Sequence, residues 1–575
     1  MRTCGRIELL AGRPRKEIAA PLILVALAIG VWLPRLRGPI DLRWDAGVYY
    51  TLGTSLAENK GYRLLNEPGE IKATQYPPLL PAWIAAHQIV LGTSDPTVVG
   101  RALRLSFLLL FVGYIAAVYI LARDYLPVEH AFGVTLVCLF NFYTSFLSDL
   151  CFPEIAFALA TVMFLVVHLR GGRFSSFLAA LCGVAAYALR SVGVCLLAAW
   201  AVDGILRRQY TRALLRLALL AGVVGSWQLY IHSVETDPTY LRPAYAYQRA
   251  DYLFYNVSYS RNISLRDPFR AESGHLSIME ALVRSWENMR QLPVRLGVAV
   301  TSDRYFWDAQ RIAANRALGV PLVPAWVIDA TLIGLASLIL VGLGLQVGRG
   351  QWIIPLYLAL SFVSLSVTPW PEQFTRYFAP LAPFLALSLF LALHTLPAVF
   401  DRVRPHLRRV GVVVTGLVIS AILVEDGLTF VMMYRGMHQH VSYLDRSNQP
   451  VSYRLFFYKD AYRALDAGLD WLRQHAKPAD VVAASMPHWV YLRTGLKAVM
   501  PPFETDSVRA QELLESVPVA FIVQDRGLDL DTRKYLDPVI RAFPERWRLV
   551  YRDSIQDEAG KHPQEAFEIF QRVLP

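Results

Sequence analysis

Residues 18–33 read IAAPLILVALAIGVWL, with the basic residues Arg13, Arg15 and Lys16 just before them. After them come Pro34, Arg35 and Arg37, then Asp41-Leu42-Arg43-Trp44-Asp45-Ala46-Gly47-Val48-Tyr49-Tyr50. A basic start and an apolar run also describe a cleaved leader. Here no small-residue cleavage site comes after Leu33, and the run reads as a retained first membrane span. The acids and aromatics at the exit of that span decide how the rest of the chain is organised.

Composition makes the bilayer the natural solvent. The chain is 575 residues long, with 54% hydrophobic and 18% charged side chains, and its mean hydropathy is +0.35. An ordinary soluble domain is less apolar. The formal charge of +11 falls in short basic clusters between apolar runs, which suits cytoplasmic membrane loops rather than a nucleic-acid surface. Cys138, Cys151, Cys182 and Cys195 lie in or beside apolar segments and Cys4 lies in the basic tail, without metal-ligand spacing. Neither a metal site, a cofactor nor a disulfide framework is expected.

A window of roughly 20 apolar residues, the length of one crossing, finds candidate spans near 18–34, 101–121, 130–148, 151–169, 174–189, 191–206, 212–232, 325–346, 351–368, 377–398 and 408–431. The expected fold is therefore mainly α, a polytopic helical bundle of about eleven spans. The stretch 174–206 is short for two crossings and is interrupted by Arg190, so it reads as a pair of tilted or half-inserted helices. Lys/Arg retention on the cytoplasmic side gives the orientation. With the N-terminus inside, the clusters at Arg170/Arg173, Arg207/Arg208/Arg212, Arg349 and Arg402/Arg404/Arg408/Arg409 are all inside too, and only Arg35 and Arg37 violate the rule.

Three long polar segments then face outward: 35–100, 233–324, and everything after about 432. The first carries two aromatic-rich amphipathic stretches, Tyr49 to Leu56 and Leu79 to Leu91, which suit helices lying in the interface. Residues 432–575 read as a small soluble α/β domain on the non-cytoplasmic side, appended to a transmembrane domain over 1–431. In it Tyr462 to His475 and Ser507 to Glu515 have helical spacing. Val481 to Ala484, Val490 to Leu492 and Val517 to Val523 read as short strands. No glycine-rich phosphate loop is present.

Ionisable residues converge on the same outer face. Asp45 lies at the first exit and suits either chemistry or the capping of a helix beginning at Ala46. Asp149 and Glu154 straddle the outer end of the third and fourth spans. Glu154 lies inside an apolar run, where an acid is costly and either functional or paired with a buried arginine. Arg190 and Arg376 also fall at outer ends. Their guanidinium groups are able to clamp a phosphate or to neutralise Asp149 and Glu154. Asp45, Lys72, Asp149, Glu154, Arg190 and Arg376, far apart in the chain, thus share one side. A carboxylate to take a proton from a hydroxyl, beside cations to hold a departing phosphate, is the equipment for transfer from a lipid-linked phosphate.

At these residues the sequence resembles the GT-C superfamily of polyprenyl-phosphate-dependent glycosyltransferases, in the branch of the protein mannosyltransferases, the lipid A aminoarabinose transferase and the rhizobial galacturonosyl transferases. The matching elements are Asp45 with Tyr49 and Tyr50, the Tyr76-Pro77-Pro78-Leu79 break, the acidic start of the fourth span, and Arg376-Tyr377 followed by Pro380 and Pro383. The resemblance covers about residues 18–400. It implies a multi-pass cell-membrane protein, such as one of a bacterial inner membrane, with an outward-facing site. It also implies a sugar donor on a polyprenyl phosphate, a cell-envelope acceptor and surrounding membrane lipid as partners. It makes Asp45 the base and Glu154, or Asp149, its assistant. Lys72 and Arg376, with Arg190, become donor-phosphate ligands, and Tyr49, Tyr76 and Tyr377 substrate contacts. It further implies inversion and independence of a metal. Several relatives carry an Asp-Glu pair where this chain has Asp45-Ala46, which leaves Asp41 as an alternative acid.

Two other functions fit a membrane bundle with charges in it. A transporter or flippase of lipid-linked sugars would show related half-repeats and midplane charges, and the sequence shows no internal repeat. A non-catalytic assembly protein on the same scaffold is the third reading, since a scaffold alone does not fix function.

Overall fold

The computed structural model describes residues 15–249, 255–268, 273–319, 323–525, 528, 532–555 and 565–573. The first span, α1 (Arg15–Trp32), ends in a 3-10 turn through Arg35. Arg35, which violated the charge rule, is not an exposed loop charge. Its buried guanidinium donates to the Ser145 carbonyl at 2.8 Å and the Ser148 hydroxyl at 2.9 Å and lies over the rings of Trp32 and Phe456. A cation held this way reports packing, not topology.

The first outer segment folds as expected into two helices, α2 (Asp45–Ala57) and α3 (Leu79–Leu91). Only α3 presents an apolar surface outward, through Trp83, Ile89 and Val90, whereas α2 is buried from Ala46 to Ser55. The interface role read for both stretches therefore fits α3 alone.

Next come α4 (Pro96–Arg123), α5 (Val128–Phe140), α6 (Phe142–Ser148), α7 (Glu154–Arg170), α8 (Arg173–Leu189), α9 (Val194–Leu206) and α10 (Tyr210–Glu235). Asp95 caps α4 by accepting from the Thr97 and Val98 amides. Asn141 breaks the third span, bending α6 from α5 by 55°, and its side chain caps the new helix through the Thr144 amide. The second outer segment holds α11 (Pro238–Leu241), α12 (Tyr259–Ser264), α13 (Ile278–Arg290), α14 (Leu292–Ala299) and α15 (Arg304–Leu318). The bundle closes with α16 (Trp326–Gly348), α17 (Ile353–Ser366), α18 (Phe374–Phe378), α19 (Ala382–Val403) and α20 (Arg408–Met432). Gly342 of α16 lets that helix meet α19, since a Cβ there would stand 1.8 Å from the Ser388 carbonyl oxygen.

Every apolar segment counted in the sequence lies on a helix. Among the described residues, six helices are long and apolar enough to cross a membrane, or seven if the bent α5–α6 pair is one span. The count of eleven exceeds this because α7 and α8, with 17 residues each, α9, with 13, and α17, with 14, are short. At Arg190 the backbone is extended, φ −147°, between the end of α8 and a 3-10 turn leading into α9. Two short helices therefore meet at Arg190, as the interruption in the apolar run predicted.

Ties at the helix ends remote from Arg190 keep the bundle in register. Arg123 reaches Glu17 and Lys16 reaches Glu129, each at 3.4 Å, and Arg207 donates to the Gly350 carbonyl at 3.0 Å.

After α20 and a π-helical turn the chain forms an antiparallel hairpin of β1 (His438–Leu444) and β2 (Pro450–Phe456), then α21 (Asp460–His475). The remaining elements are β3 (Val481–Ala483), α22 (Pro487–Thr494), β4 (Lys497–Val499), α23 (Ser507–Ser516), β5 (Val519–Gln524), α24 (Arg533–Ala542), β6 (Trp547–Ile555) and β7 (Glu565–Arg572). The sheet order is β4-β3-β5-β7-β6, parallel through β5 and antiparallel beyond it. Val490 to Leu492, read as a strand, belongs to α22. Pro487 in its first turn and Gly495 after its end, with φ +78°, are helix start and stop signals that outweigh three apolar residues.

This unit is fastened to the outer segments. Asn66 donates to the Ala498 carbonyl at 3.1 Å, Lys497 pairs with Glu70 at 2.8 Å, and Tyr247 donates to the Met500 carbonyl at 3.1 Å. At their junction Glu67 is buried, accepting from the Tyr245 hydroxyl at 2.6 Å, and burial pushes its carboxyl up to about 7.

Candidate active site

Where α2, α7, α18 and the Arg190 break come together, four charged side chains converge: Asp45, Arg190 and Arg376 line one cavity, and Glu154 is buried behind them. Asp45 is in the first turn of α2 and Glu154 in the first turn of α7, positions where the helix macrodipole favours a carboxylate. Arg376 of α18 bridges them, its Nη1 2.8 Å from Asp45 Oδ2 and its Nε 2.6 Å from Glu154 Oε1. Arg190 pairs with the same Glu154 oxygen. Both guanidiniums thus share Oε1, and the buried Oε2 has no hydrogen-bond partner among the described residues.

Asp45 does not cap its helix. The residue before it, Trp44, takes the N-cap place with φ +54°, and the Asp45 side chain points away to Arg376 and to the Tyr255 hydroxyl, 3.3 Å from Oδ1. A positive φ at tryptophan is strained. It is held by edge contacts of the Trp44 ring with Phe146 and Tyr462 and by the Arg43 guanidinium 4.5 Å above it.

The cavity has a volume of about 1170 Å³ and is walled by aromatic side chains. Tyr49 and Tyr76 lie with ring centroids 4.8 Å apart, Tyr76 and Tyr255 6.5 Å apart, and Phe152 lies 4.2 Å beneath the Arg376 guanidinium. Tyr377 donates to Gln373 at 3.1 Å beneath the Arg190 guanidinium. The C-terminal unit supplies another wall, with Lys459, Tyr462, His488 and Lys534. Burial holds the His488 imidazole down at about 3, so it is neutral, and its ring packs edge-on to Tyr255 at 5.2 Å. Burial, reinforced by Asp45, pushes the Tyr255 phenol well above its ordinary range, so it stays a proton donor toward that carboxylate.

The structure thus brings together Asp45, Glu154, Arg190, Arg376, Tyr49, Tyr76 and Tyr377. It does not bring in Asp149 or Lys72. Asp149 is buried against Arg104, 3.1 Å away, and does not line the cavity. Lys72 pairs with Asp237 at 2.7 Å outside the cavity wall. Asp41, the alternative acid, is closed off by Arg43 at 2.6 Å. Sequence reasoning missed Tyr255, Phe152, Lys459, His488 and Lys534. Only the tyrosine density around Tyr245, Tyr247, Tyr255 and Tyr259 offered a signal for the first of them.

No protein-family model and no curated protein sequence matches the chain. Solved structures match it in fold. The Archaeoglobus fulgidus oligosaccharyltransferase with zinc and sulfate aligns with TM-score 0.52 at 14% identity, covering 95% of this chain and 72% of that one. The same archaeal enzyme, AglB, with an inhibitory peptide and a dolichol-phosphate gives 0.51 at 12% identity, covering 97% and 74%. ArnT from Cupriavidus metallidurans in the apo state gives 0.50 at 13% identity, covering 96% and 98%. At such identities the likeness is one of fold: a bundle of membrane-type helices with a C-terminal sheet-containing region.

Proposed function

We propose that the protein is a membrane glycosyltransferase that moves a sugar from a polyprenyl-phosphate donor to a cell-envelope acceptor on the non-cytoplasmic face. The observation that carries this reading is the Asp45–Arg376 pair on the wall of a cavity large enough for a sugar and its acceptor, with Glu154 holding Arg376 from behind. Two supports are independent of it: the GT-C fold, and a neighbour in fold that has been solved with a dolichol-phosphate and a peptide.

In this reading the acceptor hydroxyl attacks the anomeric carbon while Asp45 takes its proton. The bond from that carbon to the phosphate oxygen breaks, and its electron pair leaves with the polyprenyl phosphate. Arg190 and Arg376 stabilise the charge that develops on the phosphate. Glu154 fixes both guanidiniums in place, and a single displacement inverts the anomeric centre. Tyr255 holds Asp45 by donating to its other oxygen, and Tyr49, Tyr76 and Tyr377 line the sugar's path. The donor-phosphate role passes from Lys72 to the arginines, since Lys72 is held by Asp237 outside the cavity. The C-terminal unit, residues 432–575, forms the acceptor side of the cavity through Lys459 and His488.

The test is covalent transfer by purified protein in detergent, where no compartments exist to transport between. Undecaprenyl-phosphate hexoses and pentoses labelled in the sugar are offered with envelope lipid and glycan extracts. Labelled product together with free undecaprenyl phosphate is expected. Failure of every donor to be consumed would sink the proposal.

A further inference from the structure

The helix α13 in the second outer segment is strongly specified and unpartnered on one side. Ser277 and Glu280 form a capping box at its start. Its side chains Ile278, Met279, Leu282, Val283, Trp286 and Met289 are all exposed, Ile278 to 84% and Trp286 to 67%. At 3.6 residues per turn they fall on one face about 140° wide. Six large apolar groups on one face in water are costly and need a cover.

The rest of α13 fixes where that face lies. On its other side Asn288 is buried and donates to the Ser366 and Thr368 carbonyls at 2.7 and 3.0 Å, at the end of α17. The helix is therefore fastened at the level where an apolar bundle helix ends. The neighbouring α16 begins at that same end, its first residue Trp326 exposed as tryptophans at a membrane boundary are. The same level also borders the cavity, which is lined by Leu365, Val367 and Trp370. Arg284 of α13 grips the carbonyls of Ile263, Leu265 and Arg266 at 3.2, 2.7 and 2.6 Å, and Ile263 with Tyr259 forms cavity wall.

We infer that α13 lies in the bilayer interface on the cavity side, its apolar face covered by lipid, and that it ties the Tyr259–Ile263 wall of the cavity to the membrane surface. The occupant is bilayer lipid rather than a partner protein because α13 is fastened at the end of the apolar helix α17, at the level where α16 begins with the exposed Trp326. The inference rests on the membrane fold and is independent of the chemistry proposed for the cavity.

The test places an environment-sensitive fluorophore on Leu282→Cys and, separately, on Glu287→Cys of the full chain, in vesicles of phosphatidylethanolamine and phosphatidylglycerol. Signal from the parent chain, labelled in parallel, is subtracted. Lipid carrying a nitroxide just below its headgroup is expected to quench the Leu282 probe while iodide does not, and the Glu287 probe is expected to show the reverse. Two outcomes overturn the inference. A Leu282 probe open to iodide means a solvated face, and one shielded from both quenchers means a protein cover, such as a second copy. Trp286→Cys repeats the measurement if Leu282→Cys lowers the unfolding temperature.

Discussion

Asp41 and Asp45 are four residues apart, each paired with an arginine, and they belong to different kinds of site. Asp41 takes three hydrogen bonds from Nε and Nη2 of Arg43, whose Nη2 also donates to the Phe456 carbonyl and whose Nη1 donates to the Phe457 carbonyl. Asp149 with Arg104 is also buried beneath the C-terminal hairpin, where Tyr453 lies against Arg104, although Arg104 Nε has no hydrogen-bond partner there among the described residues, and neither residue lines the cavity. Around Asp45 the same residue types are left open: two guanidiniums crowd one oxygen of Glu154, its other oxygen has no partner among the described residues, and Asp45 and both arginines line a cavity. A saturated pair fixes the chain, whereas an unsaturated one can exchange partners with a substrate. Burial alone does not separate them, since Glu154 is as buried as Asp149.

Substitutions on the two sides of that contrast should behave differently. Arg104→Met leaves Asp149 buried and unpaired, which costs about 3–5 kcal/mol. The unfolding temperature should drop accordingly while turnover per folded molecule stays at the wild-type value. A loss of turnover without a loss of stability would place this pair in the active machinery.

Glu67 provides a comparison of another kind, a buried acid without an ion pair among the described residues. Its carboxyl is raised from 4.5 to about 7 in the folded chain, so between those pH values the unfolded chain has released the proton and the folded chain has kept it. Stability should fall as pH rises through that window, by about 3 kcal/mol for this group. Glu67→Gln should flatten that slope in unfolding measured from pH 5 to 8, and an unchanged slope would refute the assignment.

At the open cluster, Arg376→Lys keeps the charge but cannot reach Asp45 and Glu154 together. Transfer should fall about tenfold to a hundredfold, the worth of one charged hydrogen bond. The smallest effect belongs to Lys72→Ala, which removes a surface pair and should leave transfer within about threefold of wild type. A larger loss would return Lys72 to the donor site.

Much of this was legible in the sequence, for definite reasons. Apolar runs mark the bundle helices because lipid demands them, and Arg190 marks the break because a cation inside such a run needs a partner. The charge rule put Asp45, Glu154, Arg190 and Arg376 on one side, and the fold then brought them within hydrogen-bond reach. The same rule admitted Asp149 and Lys72, since it reports sidedness and not who pairs with whom. Arg104 and Asp237, which take those two residues away, have no periodicity or motif to announce them. Tyr255, at 210 residues from Asp45, and the cavity residues of the C-terminal unit are placed by tertiary packing alone. Span number was the least legible, because helices such as α8 and α17 are shorter than the window used to find them.

Under the proposed function, transfer chemistry belongs to the open cluster, beginning with Asp45. Single-turnover transfer by Asp45→Asn, with donor binding and unfolding temperature measured on the same preparation, tests that assignment most directly. The expected result is a folded protein that still binds donor and transfers about two to four orders of magnitude more slowly. Wild-type transfer by folded Asp45→Asn would contradict it.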